Sequence, residues 1–257
     1  PPPSPAPAGR PRDEIMLQSS PFRRDGLVIR PSEVRILKGP LTGQPIGQAG
    51  LFTTETIPKG AWIGFYTGHG LLKSEYRSLT EEQRNDLARY AAAATINDHE
   101  YTWCPPYEAN NMPDFTKHAM AAINEPDSEQ EANVIALATM MEIPLDDGTS
   151  PHFAVLSFFA CREIPANAEL LWNYGPVYEE MRKQYDYTPG PPCPDFGAPG
   201  NDLKPRRISD DAYKKALQAA ERVSVEELRT MLFDTYRAAE LAAAAARQKR
   251  LQREGRV

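Results

Sequence analysis

Cysteine and histidine are scarce in this sequence, and their positions argue against a metal-based or disulfide-based architecture. The chain of 257 residues has three cysteines, Cys104, Cys161 and Cys193, an odd number at wide separations. Disulfide scaffolds and zinc-bound domains need closely spaced cysteine or histidine ligands. The four histidines show no metal-ligand spacing. We therefore expect no disulfide framework, no metal site and a reducing, intracellular location.

Long apolar runs and an excess of positive charge are also absent. No segment approaches the roughly 20 apolar residues of a membrane-spanning helix, and there is no signal-peptide pattern. The 29 lysines and arginines are outnumbered by 35 aspartates and glutamates, for a net charge of −6. Nucleic-acid binding needs a basic face that displaces counterions from phosphates. We expect a soluble protein that contacts neither membrane nor nucleic acid directly.

Proline and glycine divide the chain into four predicted regions. The Pro-rich segment 1–24 cannot pack a core, so we expect it to be disordered. Residues 25–187 carry the apolar runs of a globular domain. A Pro/Gly-rich linker over 188–207 separates that domain from a helical extension over 208–257.

The densest pattern lies towards the end of the globular region. The run Phe153–Ala160 is aromatic and β-branched, which predicts a buried strand. The sequence Ile164-Pro165-Ala166-Asn167-Ala168 predicts a turn, because proline fixes φ and asparagine tolerates the left-handed region. A short strand, Glu169–Tyr174, then ends at Gly175-Pro176. This break can expose the Tyr174 phenol at a cavity; the alternative is a half-buried packing tyrosine.

Earlier stretches supply further turn and strand signals. A small-residue turn at Gln48-Ala49-Gly50 opens a strand, Leu51–Thr54, and its backbone can approach a ligand closely. An ordinary hairpin turn is the competing interpretation. The remaining pieces are a proline-containing segment, a second strand and two short motifs that contain asparagine: Ile57–Gly60, Trp62–Tyr66, Ile123–Pro126 and Asn133-Val134.

In this order the motifs resemble the SET domain of protein-lysine methyltransferases, over about Val34 to Tyr178. That family has a G-x-G turn, I-P-x-G, Y-x-G, an N-H motif with a downstream P-N, and E-L-x-aromatic-D-Y-G. Here Gln48 replaces the first glycine, Glu125 replaces the histidine, and the cysteine-rich zinc tail is missing, which is typical of a divergent member. The resemblance implies a mainly β fold with α insertions. It consists of small twisted sheets around a pseudoknot-like C-terminal segment, followed here by the C-terminal helical extension.

The resemblance also implies a reaction, S-adenosyl-L-methionine-dependent methyl transfer to a lysine of a histone or other protein, in the nucleus rather than the cytoplasm. It assigns catalysis to Tyr174 and Tyr66, and the substrate channel to Trp172 and Tyr101. The implied cofactor-binding residues are Gln48, Ala49, Gly50, Asn124, Glu125 and Tyr178. Methyl transfer to an amine needs the neutral lysine, and a dry channel favours that form because burial disfavours charge.

Helices are predicted outside these motifs. The capping box Thr80–Gln83 opens a helix that continues through Ala91–Ala94. Beyond the linker, Ser209 caps one helix and Ser224–Glu227 opens a longer one. The apolar face of the longer helix, within 225–241, packs on the chain itself or on a helical partner.

A second interpretation of the whole chain is a catalytically inactive SET-like protein-binding module. The altered glycine turn, Glu125 and the missing zinc tail favour it. A third places the function in the helical extension, with the domain as scaffold.

Overall fold

Ten strands and two short helices are the named elements within the residues that the structure describes. The computed structural model describes residues 14–34, 48–81, 83–84, 90–96, 99–106, 112–142, 152–175, 178, 182–183, 188–193, 218 and 233–234. The strands are β1 (Ile15–Met16), β2 (Leu27–Pro31), β3 (Ala49–Thr53), β4 (Trp62–Phe65), β5 (His69–Leu72), β6 (Ala92–Ile96), β7 (His99–Cys104), β8 (Val134–Glu142), β9 (His152–Ala160) and β10 (Phe233–Asp234). The helices are α1 (Lys73–Ser78) and a 3-10 helix, Ala119–Ala122. No helix within the described ranges is long and apolar enough to cross a membrane.

The strands form small antiparallel sheets. The first has the order β1-β2-β3, and the second has the order β5-β7-β6. In the third, β9 pairs with β8 along its whole length, and with β4 and β10 on its other side. Every residue of β9 from Phe153 to Ala160 is buried, as predicted for this apolar run. This arrangement of small sheets with little helix is the predicted SET-type architecture.

The predicted strand Glu169–Tyr174 is not a regular strand in the structure. Instead, residues 169–172 join the sheets by isolated bridges. Glu169 bridges to Phe52 on β3, whereas Trp172 bridges to Val134 on β8. The side chain of Asn133 holds the segment from both ends. Its Nδ2 donates to the carbonyl of Glu169 at 2.8 Å, and its Oδ1 accepts from the backbone N–H of Leu171 at 2.9 Å. The closing motif is therefore fixed in place by an asparagine far away in sequence.

The turn that leads into this segment has the predicted backbone. Asn167 adopts φ 68°, a left-handed conformation that asparagine tolerates better than most residues. Gly175, at the other end of the segment, also has a positive φ of 79°. Both ends of the closing motif thus turn sharply where the sequence places residues suited to such turns.

The predicted helix through Ala91–Ala94 is wrong. The capping box is present, since Gln83 N donates to Thr80 Oγ1 at 3.2 Å and Thr80 N donates to Gln83 Oε1 at 3.0 Å. However, Ala92–Ile96 is strand β6, paired in register with β7. The helix preference of alanine amounts to a few tenths of a kcal/mol per residue. We attribute the strand to pairing with β7, because a full ladder of backbone hydrogen bonds outweighs so small a preference.

The predicted disorder over 1–24 does not extend to residues 14–24, and most of that segment, 1–13, lies outside the described residues. Ile15 and Met16 pair with Ile29 and Val28 of β2. Phe22 is buried against the domain, with 3% of its surface exposed. The physical reason is composition, because proline dominates only the first residues and apolar side chains return before residue 24.

The predicted helix after Ser224 is wrong at residues 233 and 234. Phe233 and Asp234 pair with Ala154 and Phe153 at the end of β9 as a short antiparallel strand. The helical spacing of apolar residues over 225–241 carries no information about distant partners, so it could not show that the edge of β9 is available for pairing. The rest of this segment, like the predicted helix after Ser209 apart from the helical residue Gln218, lies outside the described residues.

The expectation of no disulfide is wrong. Cys161 and Cys193 form one, with their Cα atoms 6.3 Å apart. The pair meets because residues 188–193, the start of the predicted linker, fold back on the 126–132 loop. Gly190 N donates to the carbonyl of Pro126 at 2.9 Å. Cys104 stays a free, buried thiol, and burial raises its pKa to about 12.

Candidate functional site

Three consecutive buried residues, Ile123, Asn124 and Glu125, bring the predicted site residues together. The carbonyl of Ile123 accepts a hydrogen bond from the Tyr174 hydroxyl at 2.8 Å. The carboxylate of Glu125 accepts from the backbone N–H of Tyr174 at 2.9 Å. The Asn124 side chain reaches the other way, to the Gln48–Gly50 turn. This short segment thus connects the predicted cofactor turn to the predicted catalytic tyrosine.

The Asn124 amide has a defined orientation. Its Nδ2 donates to the carbonyl of Ala49 at 2.9 Å and to Glu169 Oε1 at 3.1 Å. A side-chain amide has two donor hydrogens and one acceptor oxygen. Because both neighbours are acceptors, the nitrogen must face them. Oδ1 is therefore the atom of this side chain that can accept a hydrogen bond from a ligand.

Glu169 is a buried carboxylate surrounded by donors, and sequence reasoning gave it no role. It accepts from Ser32 Oγ at 2.7 Å, from Glu33 N at 2.7 Å and from Asn124 Nδ2 at 3.1 Å. Burial raises its pKa, and the hydrogen bonds from Ser32, Asn124 and Glu33 act in the opposite direction. The available signal was a carboxylate at the start of the apolar run Leu170–Trp172, since charged residues are rarely buried without partners.

Gly50 is required by its contact with Glu169. A Cβ atom at residue 50 would lie 2.4 Å from Glu169 Oε1 and 3.0 Å from the Phe52 ring. The prediction was that the small residue lets a ligand approach the backbone. In the structure the space beside this glycine is filled by a buried carboxylate of the same chain.

We expect Gly50→Ala to lower the free energy of unfolding by about 1–3 kcal/mol, the usual cost of overpacking a filled interior. The added methyl group would push the Glu169 carboxylate away from its donors. Urea denaturation of the variant and the parent protein measures the change. In a Glu169→Ala background the cost of the same substitution should fall clearly, because the clashing carboxylate is gone. An equal cost in both backgrounds would contradict this explanation.

Five aromatic rings form a continuous row from the core to the surface, which we call the aromatic row: Tyr66, Phe158, Trp172, Tyr174 and Tyr178. Successive ring centroids are 6.0, 5.0, 5.3 and 4.9 Å apart. Tyr66 and Phe158 are buried, whereas the other three rings are half-buried. Aromatic pairs at these separations attract one another. The row gives a continuous apolar surface whose inner end is buried in the core.

Each tyrosine hydroxyl of the aromatic row donates to a backbone carbonyl. Tyr66 donates to the carbonyl of Tyr90, Tyr178 donates to Ala91 at 2.7 Å, and Tyr174 donates to Ile123. A hydroxyl has one donor hydrogen and two acceptor lone pairs. With the hydrogens committed to carbonyls, these oxygens can act towards a ligand only as acceptors.

A buried ion pair ties a later part of the chain to this site. Arg182 Nε donates to Glu125 Oε2 at 2.9 Å, and its Nη2 donates to Oε1. The side chains of Glu125 and Arg182 are 7% and 13% exposed. Glu125 therefore accepts hydrogen bonds from the backbone of Tyr174 and from the side chain of Arg182 at the same time. No local pattern in the sequence indicates this partner for Glu125.

Tyr101 and Gln48, two other predicted site residues, have contacts of their own. Tyr101 is buried on β7, in the same core cluster as Tyr66, with its ring 6.3 Å from that of Trp103. Burial raises the Tyr101 pKa. The carbonyl of Gln48 accepts from Ser32 N at 2.9 Å, which ties the turn to the segment after β2. Within the described ranges, no group of three or more histidine, cysteine, aspartate or glutamate residues could hold a metal ion.

Comparison with known proteins agrees with the motif pattern. The family model described as SET domain matches residues 48–175. The Arabidopsis thaliana protein described as "Probable inactive histone-lysine N-methyltransferase SUVR1" is 28% identical over 131 residues, which are 49% of this chain and 16% of that protein. The present chain thus spans less than a fifth of the length of that relative. The crystal structure of CpSET8 from Cryptosporidium superposes with a TM-score of 0.39 at 18% identity, covering 58% of this chain and 57% of that one.

Proposed function

We propose that this chain, which belongs to the SET-domain family, is an S-adenosyl-L-methionine-dependent protein-lysine N-methyltransferase. The observation that carries the proposal is the placement of Tyr174. Its hydroxyl is fixed on the carbonyl of Ile123, next to Asn124 and at the outer part of the aromatic row. Residues 25–187 would be the catalytic domain, followed by a linker over 188–207, whose first residues pack on the domain, and by a helical extension over 208–257.

The residues around Asn124 suit the amino-acid end of the cofactor. Asn124 Oδ1 would accept a hydrogen bond from the cofactor's amino group, since both amide hydrogens face Ala49 and Glu169. The Glu169 carboxylate lies directly behind this amide and favours positive charge there. The predicted backbone contacts of Gln48 and Gly50 belong to the same turn. When bound, S-adenosyl-L-methionine supplies a methyl group activated by the positive sulfonium.

The aromatic row suits a lysine side chain and the transferred methyl group. Apolar ring faces would line the aliphatic stem and exclude water, which favours the neutral amine. Tyr66 and Trp172 would form the wall, with Tyr178 beside Tyr174 at the outer end. The Tyr174 oxygen, restricted to an acceptor role, would orient an amine N–H or the polarised methyl group. It need not remove a proton.

A histone is the first substrate to test, and a nuclear location follows from that choice. The support is that the Arabidopsis thaliana relative is described as a probable inactive histone-lysine N-methyltransferase. The net charge of −6 also suits a basic peptide, because opposite charge speeds encounter. Other lysine-bearing proteins form the second group of substrates.

The second candidate function is a catalytically inactive SET-like module that binds a protein. Two observations favour it. The relative is described as probably inactive, and Glu125 occupies the family's histidine position with its carboxylate committed to Arg182 and Tyr174.

The deciding experiment measures transfer of labelled methyl groups from S-adenosyl-L-methionine to core histones and to a cell extract. We expect labelled protein from which acid hydrolysis releases methyl-lysine. Calorimetry with S-adenosylhomocysteine measures cofactor binding in the absence of substrate. If the folded protein has no affinity for this ligand, the enzyme proposal fails and the binding module replaces it.

A further inference from the structure

We infer that Glu169 is a positioning residue for the cofactor. It acts through Asn124, by holding the amide so that Oδ1 and not Nδ2 is presented to the cofactor's amino group. The inference rests on the proposed function, because it concerns the same cofactor. It adds a residue that touches no substrate and lies behind Asn124, in contact with its Nδ2.

The surroundings of Glu169 require a group that only accepts hydrogen bonds. Oε2 accepts from the backbone N–H of Glu33, and Oε1 accepts from Ser32 Oγ and Asn124 Nδ2. Ser32 Oγ is itself the acceptor for Val34 N at 3.1 Å, so its hydrogen is available to the carboxylate. An ionised carboxylate accepts at both oxygens and satisfies all three donors.

A glutamine at residue 169 would have the same shape but could not satisfy these donors. If its NH₂ group occupies the Oε2 position, it faces the N–H of Glu33. If it occupies the Oε1 position, it faces the NH₂ group of Asn124. The second conflict is relieved when the Asn124 amide turns over, which presents Nδ2 to the ligand. A donor in that place repels an amino group that is itself protonated.

The carbonyl of Ala49 supports the native orientation but cannot guarantee it. It accepts from Asn124 Nδ2 at 2.9 Å, so a turned amide would place Oδ1 against a carbonyl oxygen. With Glu169 present, both contacts select the same orientation. With glutamine present, the two contacts oppose each other, and the amino group of the ligand loses its fixed acceptor.

The test compares two ligands that differ at the amino-acid end. S-adenosylhomocysteine carries the amino group, whereas 5′-methylthioadenosine keeps the nucleoside and the sulfur without it. Calorimetry measures both dissociation constants for the parent chain, Glu169→Gln and Glu163→Gln. Glu163 is an exposed glutamate directly before the 164–168 turn that leads to Glu169, and it has no role in the site. Circular dichroism confirms that each variant is folded.

We expect Glu169→Gln to weaken S-adenosylhomocysteine binding about tenfold to a hundredfold, the range for losing a hydrogen bond to a charged group. Binding of 5′-methylthioadenosine should stay within about twofold, by the same argument, because it lacks that bond. Glu163→Gln should change neither constant. Glu169→Asp keeps a carboxylate with a shorter reach, so its selective loss should be smaller, and it carries the test if the glutamine variant does not fold.

Three outcomes overturn the inference. Equal weakening of both ligands, or no change in either, would mean that Glu169 does not act on the amino group through Asn124. The proposed function would stand in that case. No affinity of the parent chain for either ligand would remove the proposed function and this inference together.

Discussion

Tyr174→Phe should reduce methyl transfer by at least about a hundredfold, the usual loss when one positioned polar group at a reacting centre is removed. The substitution keeps the ring that packs between Trp172 and Tyr178. It removes only the oxygen that the carbonyl of Ile123 holds in place. An amine or methyl group at the end of the aromatic row would then lack its orienting acceptor. Labelled methyl transfer under single-turnover conditions measures the loss.

The stability of this variant separates a lost reaction from a lost fold. Losing the hydrogen bond to Ile123 costs about 1 kcal/mol, which urea denaturation resolves. Tyr76→Phe is the matched control, since Tyr76 is a partly exposed tyrosine on α1, outside the aromatic row. It should transfer methyl groups at the parent rate. Transfer by Tyr174→Phe at more than about a tenth of the parent rate would contradict the role of the hydroxyl, since that loss is far smaller than a positioned group supplies.

Local sequence patterns predicted an element correctly where its surroundings in the fold favour the same conformation as its own residues. The run Phe153–Ala160 is a buried strand because both of its faces and both of its edges are covered. Asn167 adopts the left-handed conformation that its turn requires. The alanine block fails for the opposite reason. Its preference for a helix is weak, and β7 provides a complete partner for a strand.

The residues of the site could be predicted by type, but their partners could not. Tyr174 and Asn124 follow from the motif order. Glu169 lies beside Gly50 because the backbone around it pairs with β3 and because Asn133 holds residues 169–171 from the other side. Such a contact depends on three segments that are far apart in sequence, and no local pattern encodes it. The pairing of Glu125 with Arg182 was missed for the same reason.

Arg182→Ala should lower the free energy of unfolding by about 3 kcal/mol, the cost of leaving one partner of a buried ion pair without the other. Glu125 and Arg182 are 7% and 13% exposed, so water cannot replace the guanidinium fully. Urea denaturation measures the change. Arg162→Ala is the matched control, because the Arg162–Glu131 pair is exposed, at 44% and 57%. Its loss should cost less than about 1 kcal/mol.

The double variant Glu125→Gln with Arg182→Ala tests whether the cost comes from the unpaired charge. A neutral glutamine can still accept from the backbone N–H of Tyr174, so the double variant should be more stable than Arg182→Ala alone. Hydrogen exchange at the Tyr174 amide should rise in Arg182→Ala, since the carboxylate that holds this N–H is no longer fixed on its other side. Equal stability of the single and double variants, with unchanged exchange at Tyr174, would show that the ion pair does not hold the proposed catalytic tyrosine. If the predicted differences appear, the ion pair helps to hold Tyr174 in place. Glu125, at the family's histidine position, then links Tyr174 to Arg182 in the segment after Tyr178.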